Sequence, residues 1–168
     1  MKAVKHPIIQ ADSKMNDTMA HGSLTLYVDT SYRPEHHRRS HGIMVSDFKD
    51  LKKGEKVYFH YLSLVDDPQI PPDKWIVQYE MLYAVVRDGD VVPLNDYLFV
   101  STVKEKTESS LITLDKKSTT HGLVKYTNHP DLQKGDEVYF NKICAFENEI
   151  EGEVLYVMEN RDILKVKR

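Results

Sequence analysis

The chain states one pattern twice. His41-Gly42-Ile43, followed by Leu51-Lys52-Lys53-Gly54-Glu55-Lys56-Val57-Tyr58-Phe59, returns as His121-Gly122-Leu123, followed by Leu132-Gln133-Lys134-Gly135-Asp136-Glu137-Val138-Tyr139-Phe140. Further on, Glu80-Met81-Leu82-Tyr83 and Arg87-Asp88 are matched to Glu153-Val154-Leu155-Tyr156 and Arg161-Asp162. On this matching the offset runs 80, then 81, then 73 and 74, so the landmarks keep their order while the loops change length. Insertions confined to loops are the behaviour of a duplicated fold. The repeat divides the 168 residues into two small units, 1–88 and 89–168. Arg87-Asp88-Gly89-Asp90 between them reads as a turn, because a flexible tether would be longer and richer in Gly and Ser. The first unit is expected to have the longer loops. Leu62 to Gln78 carries Pro68, Pro71 and Pro72 and makes the Phe59-to-Glu80 connection eight residues longer than Phe140-to-Glu153. Prolines there are expected to stiffen an excursion that is not central strand.

The periodicity within each unit is that of strands. Lys56 to Tyr61 and Glu137 to Phe140 are rich in β-branched and aromatic residues and follow Lys-Gly-Glu and Lys-Gly-Asp turns. Trp75 to Val86, Tyr97 to Val103 and Gly152 to Met158 read the same way. Nowhere does an apolar i, i+3, i+4, i+7 stripe survive four turns, so the expected class is all-β. Three polar segments, Ala11 to Gly22, Asp29 to Ser40 and Lys104 to Ser110, read as mobile.

Composition narrows the function. A net charge of −3 gives no basic footprint for nucleic acid. No apolar run approaches the roughly 20 residues of a membrane helix. The start of the chain, Met1 to Pro7, lacks the apolar core of a signal peptide, so a cytoplasmic location is expected. Cys144 is the one cysteine; it cannot bridge internally and reads as a small buried apolar residue in a reducing compartment. Two units of roughly 80 residues have limited cores, so mutual support or homo-oligomerisation is expected.

Catalytic chemistry finds no foothold. There is no Gly-rich phosphate loop, no Gly-x-Ser-x-Gly elbow and no His-Glu-x-x-His motif, so no catalytic residue and no cofactor are assigned. Asp66-Asp67 and Glu147 to Glu151 read as solvated edges. Glu35-His36-His37-Arg38-Arg39-Ser40-His41 is locally unusual. It lacks a second Cys or His cluster to close a metal site, and it reads as a solvated basic loop.

The second unit resembles the GroES (chaperonin-10) co-chaperonin family along nearly its whole length. Pro93-Leu94-Asn95-Asp96 is similar to the family's opening Pro-Leu-x-Asp motif, and Gly135 to Asn141 to its Gly-Asp-x-Val-x-Phe strand. Glu153-Val154-Leu155 and Asp162-Ile163-Leu164 are similar to its closing strands. The first unit joins by way of the internal repeat and has Lys5-His6-Pro7-Ile8-Ile9 where the opening motif should be. The resemblance implies two tandem GroES-like small β-barrels. It also implies a co-chaperonin that caps a GroEL-type chaperonin, the ATP or ADP being bound by that partner. The family's roof hairpin is expected to be missing, since only Met44 to Asp50 and Val124 to Asp131 fill its place.

By the same resemblance, the chaperonin-binding loop of the second unit is Lys104 to Thr120, with Leu111, Ile112 and Leu114 as its contacts. Leu24 and Leu26 occupy the corresponding place in the first unit. Both sets also fit ordinary alternating strands, which would turn each pair toward a barrel core. The alternative function is a structural or adaptor protein, such as a phage or accessory assembly component, that keeps the barrels without binding a chaperonin. The GroES-like barrel also occurs within alcohol dehydrogenases, but no nucleotide-binding βαβ unit is present, so an enzyme is not expected.

Overall fold

Alternating apolar and polar residues between Gly-containing turns produce strands throughout. The computed structural model describes residues 5–11, 18–21, 24–27, 40–60, 63–65, 73–105 and 116–167. Among these the helical elements are short 3-10 turns, including Tyr79–Met81, Lys142–Cys144 and Asn160–Asp162. The protein is all-β, and it divides into two compact units, Met1–Asp88 and Gly89–Arg168.

The first unit contains β1 (Ile8–Gln10), β2 (Thr18–His21), β3 (Leu24–Tyr27), β4 (His41–Met44), β5 (Lys56–Phe59), β6 (Leu64–Val65), β7 (Lys74–Val77) and β8 (Leu82–Arg87). Within their sheet the strands of this unit lie in the hydrogen-bonded order β6-β7-β1-β4-β5-β8, and β2 and β3 form a separate antiparallel pair. The second unit contains β9 (Asp90–Pro93), β10 (Tyr97–Glu105), β11 (Lys116–Tyr126), β12 (Glu137–Phe140), β13 (Phe146–Ile150), β14 (Glu153–Glu159) and β15 (Ile163–Lys167). Its sheet runs β13-β14-β10-β11-β12-β15. Position for position, the two orders correspond.

The register corresponds too, and it corrects the sequence matching. In the first unit Tyr58 pairs with Ala84 and Phe59 with Leu82, with a bulge between; in the second, Tyr139 pairs with Lys165 and Phe140 with Ile163, with a bulge at the same step. Ile8 and Ile9 pair with Ile76 and Trp75, as Phe99 and Val100 pair with Val157 and Tyr156. Trp75-Ile76-Val77 therefore corresponds to Tyr156-Val157-Met158, and Tyr79-Glu80-Met81 to Asn160-Arg161-Asp162. From Leu51 and Leu132 onward the offset stays at 81, so the eight-residue excess expected in the first unit does not exist. The shared Glu-x-Leu-Tyr letters misled, because hydrogen-bond register decides which side chains share a face, not letter identity. Within the supposed excursion, Leu64–Val65 and Lys74–Val77 are the strands β6 and β7. Leu62, Pro68, Pro71 and Pro72 lie outside the described residues. Thr18–His21, within a segment expected to be mobile, forms β2.

The repeated turn shows why its residues recur. Gly54 N–H donates to Met44 O and Met44 N–H to Glu55 O, at 2.9 Å each; Gly135, Val124 and Asp136 repeat the pair at 2.8 and 2.9 Å. The glycines have φ of +90° and +96°, the left-handed region that favours glycine. The acid one residue later closes the same turn, since Glu55 Oε2 accepts from Lys52 N–H at 2.7 Å and Asp136 Oδ2 from Gln133 N–H at 3.0 Å. The preceding connections are short. Phe48 and Leu51 exchange backbone hydrogen bonds of 3.0 Å, and Leu132 N–H donates to His129 O at 3.2 Å. Val45 to Asp50 and Thr127 to Asp131 are short connections and carry no hairpin.

The cores occupy equivalent places. Ile9, Met44, Leu51, Val57, Phe59 and Val77 are buried in the first unit. Their counterparts in the second are Val100, Val124, Leu132, Val138, Phe140 and Met158, clustered with Leu98 and Tyr156. Each such side chain contributes roughly 1.5–3 kcal/mol at full burial. Cys144 departs from expectation. It is half-buried at the end of a 3-10 turn capped by Asn141, rather than buried. Desolvation, and then the Asp162 carboxylate, push its thiol up, which keeps it a thiol.

One ion cluster ties β8 to the turn before β5. Arg87 Nε donates to Glu55 Oε1 at 2.8 Å and Arg87 Nη2 to Asp50 O at 2.7 Å. Burial opposes the charge on Glu55, but the bonds from Arg87 and the Lys52 N–H outweigh it and hold the carboxyl below its ordinary value. Arg87→Ala is expected to cost about 1 kcal/mol at neutral pH, a figure set by the partial exposure of the pair. A depressed folded-state value gives stabilisation that is complete above the ordinary 4.5 and lost as pH falls through the folded value. Denaturant titrations at pH 7 and pH 3 check this: the gap between wild type and Arg87→Ala should close in acid.

Candidate functional site

In each unit, chain leaves the sheet between two central neighbours, β1 and β4 in the first and β10 and β11 in the second. In the second unit β10 and β11 outrun their other partners, with nine and eleven residues. β14 pairs with β10 only over Tyr97–Val100, and β12 pairs with β11 only over His121–Leu123. Beyond these points the two strands pair with each other alone, Lys104 with Lys117 and Glu105 with Lys116. The result is a two-stranded arm whose ends are held together. Leu111, Ile112 and Leu114 fall between those ends, in residues 106–115, outside the described residues.

In the first unit the same place holds the β2–β3 hairpin, with Met19 opposite Leu26 and His21 opposite Leu24. Leu24 is 64% exposed, Leu26 49% and Tyr27 86%. Strand alternation puts Leu24 and Leu26 on one face and Thr25 and Tyr27 on the other, and all four are exposed. Neither leucine enters the core, contrary to the plain alternating-strand reading. The hairpin thus presents two leucines and a tyrosine to water.

The bases of the two excursions are built alike. His41 packs on Tyr58, ring centroids 5.8 Å apart, and His121 stacks on Tyr139 at 5.3 Å. Gly42 and Gly122 follow these histidines, and each lets its strand approach the neighbour closely. The outward face beside His121 is a row of paired charges. Lys167 Nζ lies 3.2 Å from Glu137 Oε2, Tyr139 OH donates to Glu137 Oε1 at 3.2 Å, and Lys125 Nζ is 2.8 Å from Glu153 Oε2. Hydrogen bonds from Lys167 and Tyr139 hold Glu137 below the ordinary carboxylate range despite some desolvation. Such a face is satisfied within itself and reads as solvated surface.

Sequence reasoning missed the arm and Tyr27. Lys116 to Thr120 read as polar loop, yet it is strand. A run of polar residues has no apolar alternation to betray a strand, and the β-branched Thr119-Thr120 pair was the available signal. Among the described residues no group of three His, Cys, Asp or Glu is placed to hold a metal ion. The segment from Glu35 to Arg39 lies outside them, and His41 lies on β4. No helix of the described residues is long and apolar enough to cross a membrane.

The geometry defines a class: a small antiparallel β-domain that projects a two-stranded arm from its central strands. Residues 90–167 match the family model described as Chaperonin 10 Kd subunit, and the second unit is a GroES-like domain. That is a family of non-enzymatic co-chaperonins whose general partner is a GroEL-type chaperonin. Its opening motif sits where the fold needs a turn. Asn95 and Asp96 take φ of 49° and 62°, Tyr97 N–H donates to Leu94 O at 3.0 Å, and Asn160 N–H to Asp96 O at 2.9 Å. No curated protein matches the chain.

Proposed function

We propose that this chain is a co-chaperonin that binds the rim of a GroEL-type chaperonin and caps its folding chamber. Leu111, Ile112 and Leu114, carried by the β10–β11 arm, make the principal contact, and Leu24 and Leu26 on the β2–β3 hairpin make a second. The first unit, 1–88, is a divergent GroES-like barrel paired in tandem with the second, 89–168. The observation that carries the reading is the exposure of Leu24 and Leu26 on a hairpin at the same place in the strand order as the arm of the family-matched domain. Two or three aliphatic side chains, each contributing roughly 1.5–3 kcal/mol on burial, bind weakly once loop ordering is subtracted. Several loops on one homo-oligomer bind tightly by avidity. ATP and ADP belong to the chaperonin, and the protein works in the cytoplasm.

A chaperonin-dependent refolding assay tests this. With ATP, adding the protein to a GroEL-type chaperonin loaded with unfolded substrate should raise the folded yield above chaperonin alone. An unchanged yield, under conditions where a known co-chaperonin raises it, contradicts the reading. The short connections at Val45 to Asp50 and Thr127 to Asp131 leave no roof over a chamber and favour the second reading, an adaptor in a larger assembly. Limited proteolysis separates the two. A co-chaperonin arm is expected to be cut first by trypsin at Lys106 and to be protected when chaperonin and ADP are added. Resistance at Lys106 in the free protein favours the adaptor.

A further inference from the structure

We draw no further inference here: the strongest candidate, the open edge of the second sheet at β15, where Leu164 is 72% exposed and Val166 remains 36% exposed although it pairs with fully buried Val138, carries nothing because nothing among the described residues shows what covers it.

Discussion

Gly122→Ala is expected to destabilise the protein by about 3 kcal/mol, at the upper end of what overpacking costs. Gly122 lies where β11 passes between β10 and β12, opposite Thr102 on one side and Val138 on the other. A Cβ there would run into the Ser101 carbonyl oxygen and the Val100 side chain. Neither can move away cheaply. Val100 and Ser101 are paired with Val124 and Leu123, Val100 also pairs with Tyr156, and the Ser101 hydroxyl donates to Leu123 O at 3.2 Å. Gly42→Ala repeats the clash more mildly, with a Cβ 2.7 Å from Gln10 O. Gly135→Ala meets no neighbour within 4 Å and is strained only by its φ of +96°, so it should cost about 1 kcal/mol. Thermal unfolding distinguishes these. Gly122→Ala should lower Tm by roughly 6–12 °C and Gly135→Ala by a third of that. An equal shift for both would mean that backbone conformation, rather than close strand approach, explains the repeated His-Gly.

Ile112→Asp is expected to weaken chaperonin binding by about 100-fold or more while leaving the fold intact. Removing a buried isoleucine forfeits roughly 1.5–3 kcal/mol at each loop. Placing an unpaired carboxylate against an apolar groove adds a desolvation penalty. Since about 1.4 kcal/mol is tenfold, one loop alone accounts for such a loss, and avidity multiplies it across an assembly. The fold should be indifferent, because the arm's ladder runs to Glu105 and Lys116 and Ile112 lies beyond it. Paired substitutions Leu24→Asp and Leu26→Asp should have a smaller effect if the hairpin is the secondary contact. Calorimetric titration of chaperonin with each variant, alongside its unfolding curve, measures both. Loss of binding with loss of folding would remove the docking argument.

Much of the fold was legible because its constraints are local. The Lys-Gly-Glu and Lys-Gly-Asp turns, the Val-Tyr-Phe strands and the His-Gly steps are each required by one turn, one pleat or one close approach, so they recur wherever the geometry recurs. The ladder register after Phe59 was not legible. The correspondence of Trp75 with Tyr156 rests on pairing with β1 and β10, a contact between residues more than 50 apart in sequence. Short letter matches such as Glu-x-Leu-Tyr cannot compete with that. Cys144 was misplaced for a related reason: its neighbours Ile143 and Phe146 look like core residues, yet both are exposed around a 3-10 turn. At the candidate site, apolar spacing alone did not separate a docking strand from a core strand. Burial shows that Leu24 and Leu26 are not core residues, since both stand in water.

The central claim, that this protein docks on a chaperonin, is tested most directly by light-scattering chromatography of the protein mixed with a GroEL-type chaperonin, with and without ADP. Co-elution that depends on nucleotide and is lost with Ile112→Asp is the expected result. Elution apart from the chaperonin in both conditions, beside a known co-chaperonin that co-elutes, would contradict it.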